Sequence, residues 1–197
     1  MKKNKIVLSF IFIAVLFSVS MLVSKLATKN SATPKSEHVF GIDVSHYQGK
    51  INWSEVKASP DSIKFVFIRS TMGIDGKDKR FQYNWRKAKA KGFICGAYHY
   101  YRPNENSTKQ FNNYAASVKL HDKDFMPILD IEKVSEDGIE NLREGVLNWL
   151  KLAEEKYGKK PMVYTGNYFY WMYLAGYIDD YPHWISCWSG GELSLIK

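Results

Sequence analysis

The sequence predicts an α/β fold, and within that class an irregular TIM-like (β/α) barrel. Three observations lead there. From residue 39 onward, short β-rich apolar runs alternate with helical patterns, and repeated β-α units with short joins imply a parallel sheet. The β-rich runs are nearly continuous rather than alternating, as expected of strands covered on both faces. No glycine-rich phosphate fingerprint follows the first run, which weakens a dinucleotide-binding fold and favours a barrel with its site at the C-terminal strand ends.

Each element has a local reason. Val39 to Asp43 is the first predicted strand, and Asn52 or Ser54 caps a short helix through Ala58. Lys64 to Ser70 is a second strand, rich in aromatic and β-branched residues. Phe81 to Lys91 is amphipathic and stops at Gly92. Phe93 to Tyr101 is a third strand, Asn106 to Lys119 a helix capped by Asn106 or Ser107, and Met126 to Ile131 a fourth strand. Gly138 to Tyr157 carries Ile139, Leu142, Val146, Leu150 and Ala153 on one face and ends at Gly158. Pro161 to Thr165, Tyr168 to Leu174 and Trp184 to Trp188 complete the series as strand, short helix and strand.

The N-terminus is of another kind. Lys2, Lys3 and Lys5 precede an apolar run of 18 residues, Ile6 to Val23, broken only by Ser9, Ser18 and Ser20. That is either a cleaved export signal, with Ala27 as a cleavage candidate, or an N-terminal membrane anchor. Residues 24–37 read as a polar linker, and 38–197 as the folded domain. A hydrophobic fraction of 45% supplies that domain with a core. The net charge of +8 is misleading, because residues 1–37 hold six lysines and one glutamate and leave only +3 for the domain. That is no nucleic-acid patch, although it suits anionic wall polymers. Cys95 and Cys187 each sit in an apolar strand-like run and read as buried thiols rather than as a metal site.

Chemistry concentrates at Asp130-Ile131-Glu132. Side chains two apart on a strand share a face, so both acids point the same way. Two carboxylates in one pocket cannot both ionise cheaply, and one pKa is pushed up. An acid beside an anion is what glycosidic cleavage needs. Asp43, Tyr100 and Tyr164 also fall at predicted strand ends.

These residues resemble glycoside hydrolase family 25, the Chalaropsis-type lysozymes or muramidases. The resemblance is carried by Gly41 to Gly49 (GIDVSHYQG), Asn52-Trp53, Val56-Lys57, Phe67 to Thr71, Asn84-Trp85, Gly96 to Tyr100, Leu129 to Glu132, Pro161 to Gly166 and Pro182 to Ile185, in the family's order. It implies a barrel with helices around its first strands and bare strands closing it. It also implies hydrolysis of the β-1,4 bond between N-acetylmuramic acid and N-acetylglucosamine, so that the partner is the peptidoglycan glycan strand and the domain works outside the cytoplasm. No metal or organic cofactor is expected. The resemblance carries Glu132 over as general acid, protonated at rest, with Asp130 and Asp43 as acids of the same pocket. Asp130 acts either as nucleophile or as the group orienting the substrate's 2-acetamido, and a pair on one strand end favours the second. Tyr98 and Tyr100 share a strand face and, with Tyr164, Tyr47 and Gln48, are candidates for lining the sugar site, whereas Tyr101 takes the other face. His46 and His99 read as structural hydrogen bonders.

The chain departs from the family in two places. Where the family often has a glutamate, Arg69-Ser70-Thr71 leads to Met72, which transfers no proton. Only six strand candidates precede Lys197, fewer than a closed barrel uses, so the sequence predicts a barrel lacking its C-terminal closing strands. Two alternatives therefore stand beside the muramidase: a non-catalytic peptidoglycan-binding remnant and a chitinase-like hydrolase.

Overall fold

The computed structural model describes residues 39–187. The predicted export segment and linker lie outside these residues. In chain order the elements are β1 (Gly41–Val44), a 3-10 turn (His46–Gln48), α1 (Trp53–Ala58), β2 (Phe65–Met72), β3 (Gly76–Lys77), α2 (Phe81–Ala90), β4 (Ile94–Tyr100), α3 (Ser107–Ser117), β5 (Ile128–Asp130), α4 (Ile139–Tyr157), β6 (Met162–Gly166), a helical turn (Asn167–Phe169) widening into a π-type turn (Tyr170–Leu174), and β7 (His183–Ser186).

The sheet runs β1-β2-β4-β5-β6-β7, all parallel, with β3 folded back antiparallel on β2. It curls. Neighbouring strands lie about 4.8 Å apart, so a flat sheet would hold β2 and β7 roughly 19 Å from each other. Yet the rings of Phe67 on β2 and Trp184 on β7 have centroids 4.8 Å apart. The result is a half-barrel with a convex face under the helices and a concave face that carries the site. The predicted barrel is thus found as an open, curled sheet: among the described residues β1 and β7 are its two unpaired edges.

Strand parity assigns the two faces. Val66, Ile68, Cys95, Ala97, Leu129, Ile131 and Val163 pack beneath the helices with Leu142, Val146, Trp149 and Leu150 of α4. Phe67, Tyr98 and Ile128 form a second cluster on the concave side, joined by Phe65, Phe125, Met162 and Trp184. His99 belongs to the helix side. It is fully buried between Thr71 Oγ1 at 2.8 Å and Gln110 Oε1 at 3.2 Å, and stacks on Trp149. Burial pulls its pKa down to about 4, which makes it a neutral structural link, as its sequence context predicts.

Boundaries shift for identifiable reasons. β5 begins only at Ile128, after Pro127, which has no N–H to give the ladder. β2 runs on to Met72 through a bulge: Arg69 pairs with Tyr98 and Thr71 with His99, leaving Ser70 as the extra residue. The bulge returns Met72 to the concave side opposite Tyr100. The 3-10 turn and β3 are missing from the sequence-based assignment. The first is set by a capping box of Ser45 and Gln48, the second by two residues too few to show periodicity. The caps at Asn52 and Asn106 and the left-handed Gly158 stand where predicted. Cys95 is a buried thiol, Cys187 is half-buried, and no disulfide joins them.

Candidate active site

The C-terminal ends of β1, β2, β4, β5, β6 and β7 meet on the concave face. In register, Tyr100, Asp130, Tyr164 and Trp184 form one row across four strands. Glu132 follows β5 by two residues on the same side, past the buried Ile131. The two acids differ sharply in environment: Asp130 is 7% exposed, whereas Glu132 is open to solvent.

That difference decides where the shared proton rests. Burial, the negative charge of Glu132 and a hydrogen bond between the two carboxyls raise Asp130 to about 8. Arg69 pulls in the opposite direction and Asp43 adds to the rise. The sequence places the resting proton on Glu132. Burial favours the protonated form of Asp130, the desolvated member, and the pair titrates as a unit. Asp130 Oδ1 is buried and has no protein partner.

Asp43 stands on β1 at the rim. Its carboxyl is reached by water, yet enough protein surrounds it to raise its pKa above the usual carboxylate range. Asp43, Asp130 and Glu132 all act electrostatically on the Tyr164 hydroxyl, so the strand ends bring these acids to one place. The Tyr164 hydroxyl also hydrogen-bonds the Ser186 side chain, and its ring lies 4.4 Å from that of Trp184.

The tyrosines divide. Tyr98 faces the concave side as strand alternation predicts, but it is buried in the floor against Phe67 and Ile128. Burial first, then the Asp130 charge, keeps its phenol protonated. Tyr100 is half-buried beside Glu132 and Asp130, whose charges add to the effect of burial on its hydroxyl. Tyr101 goes to the helix core, as predicted. Tyr47 is 77% exposed and lies against the Arg69 guanidinium at 5.0 Å. Gln48 is exposed, and its Oε1 accepts from Ser45 N at 2.7 Å, within the capping box.

A buried ionic support was missed by sequence reasoning. Asp78, just after β3, accepts from Arg69 Nε at 3.1 Å, from His46 N at 2.9 Å and from Arg80 N at 2.9 Å, with His46 Nδ1 3.0 Å away. These donors hold the Asp78 carboxyl below the usual range against the opposing effect of burial. The anchored Arg69 is buried and faces the same side as Tyr98, where its charge reaches Asp130. The spacing between Arg69 and Asp78 has no strand or helix period, so only the β2–β3 reversal brings them together. Beside this support lies a cavity of about 630 Å3 lined by Tyr47, Arg69, Met72, Tyr100, Arg102 and Lys133, among others. Met72, singled out as a departure, is on its wall.

Comparison with known proteins agrees with this arrangement. A family model described as "Glycosyl hydrolases family 25" matches residues 42–194. The chain is 36% identical over 156 residues to YegX of Escherichia coli K12, covering 78% of this chain and 57% of that protein, so it spans little more than half the relative's length. It is 48% identical over 79 residues to Lysozyme M1 of Streptomyces globisporus, covering 40% of this chain and 26% of that protein. The fold superposes on a family 25 glycosyl hydrolase from Bacillus anthracis with a TM-score of 0.73 and 27% identity, covering 80% of this chain and 74% of the other. The chain belongs to glycosyl hydrolase family 25.

Proposed function

We propose that this chain hydrolyses the β-1,4 bond between N-acetylmuramic acid and N-acetylglucosamine in peptidoglycan, from a position outside the cytoplasm. The observation that carries the reading is the unequal Asp130–Glu132 pair: a buried carboxyl that keeps a proton at neutral pH, hydrogen-bonded to an exposed one. Glu132 is the member that a glycosidic oxygen can reach, so it is the general acid. The proton passes from Asp130 to Glu132 and on to the leaving oxygen as the C1–O bond breaks. Asp130 becomes a carboxylate as positive charge develops on the sugar.

Asp130 is better placed to assist than to attack. A carboxyl 7% exposed and protonated at rest is a poor nucleophile. Its partnerless Oδ1 suits the N–H of a 2-acetamido group whose carbonyl oxygen attacks C1. Water then opens the resulting oxazolinium, and Glu132, an anion again after delivering the proton, accepts the water's proton and returns it to Asp130. Asp43 adds negative charge at the rim, and Tyr100, Tyr164 and Trp184 offer ring surface to the sugars.

Borohydride reduction after digestion tests the bond. Reduced N-acetylmuramic acid at the new ends of purified peptidoglycan, with chitin oligomers cut more slowly, is the expected result. Reduced glucosamine ends or preferential chitin cleavage would replace this reading by a chitinase-like or glucosaminidase activity.

A further inference from the structure

On the convex side, away from the acids, a cavity of about 440 Å3 opens between the segment leading into α1 and the C-terminal half of α2. Lys50, Ile51, Asn52, Trp53, Ser54, Tyr83, Lys87 and Lys91 line it. None of these residues belongs to the catalytic cluster, and neither the family assignment nor the proposed activity uses them.

The chemistry of the lining is one-sided. Three exposed lysines from two separate stretches of chain line the cavity, and none of the ion pairs among the described residues includes Lys50, Lys87 or Lys91. Two other lysines nearby are engaged: Lys89 pairs with Asp124 at 2.7 Å, and Lys57 lies over the Phe93 ring. The acid closest in sequence, Glu55, is tied to Asn52 Nδ2 at 2.8 Å. The Asn52 carbonyl oxygen is taken as well, capping α1 at Ser54 N. Trp53, 3% exposed, forms the inner wall, and its Nε1–H has no acceptor in the protein. The Tyr83 hydroxyl already donates to Ile51 O at 3.4 Å. Cations and a spare N–H donor remain, with no carboxylate on the lining.

Such a set is suited to an anionic group that supplies acceptors to all of it. Lys87 on the last turn of α2 and Lys91, the residue that follows the helix, stand four apart, and the helix C-terminus favours positive charge there. Lys50 brings a third positive charge to the opposite lip. We propose that this cavity binds phosphate groups of an anionic phosphodiester polymer, and so tethers the domain to the wall while the concave face works on glycan. A phosphodiester matches the lining: compact, permanently anionic and rich in acceptors for ammonium and indole donors. The recess favours a group on a flexible polymer, which can enter it, over the flat headgroup plane of a membrane. The site is independent of the catalytic reading, because it shares no residue with it.

The test uses the full-length protein with 15N-labelled indoles. Titration with inorganic phosphate, then with poly(glycerol phosphate), should shift the Trp53 indole resonance saturably, the resonance being identified by its loss in Trp53→Phe. The polymer should bind at least tenfold more tightly than the single ion, because several phosphates engage in turn. The triple variant K50Q/K87Q/K91Q, confirmed folded by its unchanged remaining indole resonances, should weaken polymer binding at least tenfold. Potassium chloride at matched ionic strength should not reproduce the shift. Three results would each overturn the proposal: no saturable shift, a polymer affinity unaffected by the triple substitution, or a lysine-dependent affinity for phosphatidylglycerol vesicles without one for the polymer. Glycan hydrolysis is read separately on the same triple variant and should be unchanged on soluble fragments. Loss of that hydrolysis in the wild type would count against the catalytic reading alone.

Discussion

At the residue scale, the account turns on the different burial of Asp130 and Glu132. The sign of the pH dependence follows directly. The folded-state pKa of Asp130, about 8, lies above its ordinary value of 3.8. Between those values the native state binds more protons than the unfolded chain, so this group makes stability fall as pH rises through the window. Asp130→Asn should therefore raise the midpoint of thermal unfolding progressively from pH 4 to pH 8 relative to the wild type, with little difference below pH 4. A gap that is constant with pH would mean that Asp130 is ionised in the native state. The same substitution removes the partner that shares a proton with Glu132. The alkaline limb of kcat/KM, expected near pH 8 for the pair, should move to lower pH in the variant. Asp78 gives a second test. Its side chain is 1% exposed against Arg69 at 10%, and breaking a buried pair by removing one partner costs about 3–5 kcal/mol. Urea unfolding of Asp78→Ala should show a loss of that order, with Asp78→Asn losing less because its one side-chain oxygen still accepts from one of the two amides, His46 N or Arg80 N, that now share the carboxylate. The acids at 43, 130 and 132 were legible in the sequence, because strand parity alone aims the latter two together. Asp78 was not, since nothing in a sequence reports that a two-residue strand folds it back onto Arg69. The unequal burial of the two acids was not legible for a related reason. Strand parity says which side a carboxyl faces but not how deep it lies, and Asp130 sits within the sheet whereas Glu132 has passed its end.

At the element scale, α4 is the largest stabilising piece of the convex layer. Trp149 is fully buried and meets His99, Phe111 and Tyr114. Truncation to alanine should cost about 3–5 kcal/mol in urea unfolding. Gly145, on the same helix, has a reason that is steric rather than conformational: a Cβ there would collide with the Tyr101 hydroxyl. Gly145→Ala should therefore destabilise despite alanine's better helix propensity, and Tyr101→Phe in the same chain should restore much of the loss. If Gly145→Ala alone stabilises, the Tyr101–α4 contact is looser than described. The helices were readable in advance because each carries a periodic apolar face and a capping residue, such as Asn52, Asn106 or Gly158. Strand ends were less so. The Ser70 bulge, which returns Met72 to the concave face, is set by pairing with β4 rather than by any local preference. The Gln48 side chain, expected at the sugar site, also closes a local capping box, which the Ser45-x-x-Gln48 spacing does signal.

At the scale of the whole molecule, one curled sheet separates two chemistries. Its convex face is an apolar core under helices, and its concave face gathers acids, tyrosines and an arginine held by a buried aspartate. The parallel order explains why: each of the six parallel strands delivers its C-terminal end to the same side, so residues distant in sequence, Asp43 and Tyr164 among them, meet without any local signal. The central claim is that Glu132 delivers the proton that breaks a peptidoglycan glycosidic bond. The most direct measurement is the rate at which new reducing ends appear on purified peptidoglycan at pH 6, for the full-length wild type and for Glu132→Gln side by side. The account predicts steady release by the wild type and a loss of about 1,000-fold in the variant, the middle of the range for general acid catalysis, with the variant still sedimenting with insoluble peptidoglycan. Equal rates for the two proteins, or binding without release by the wild type, would contradict it.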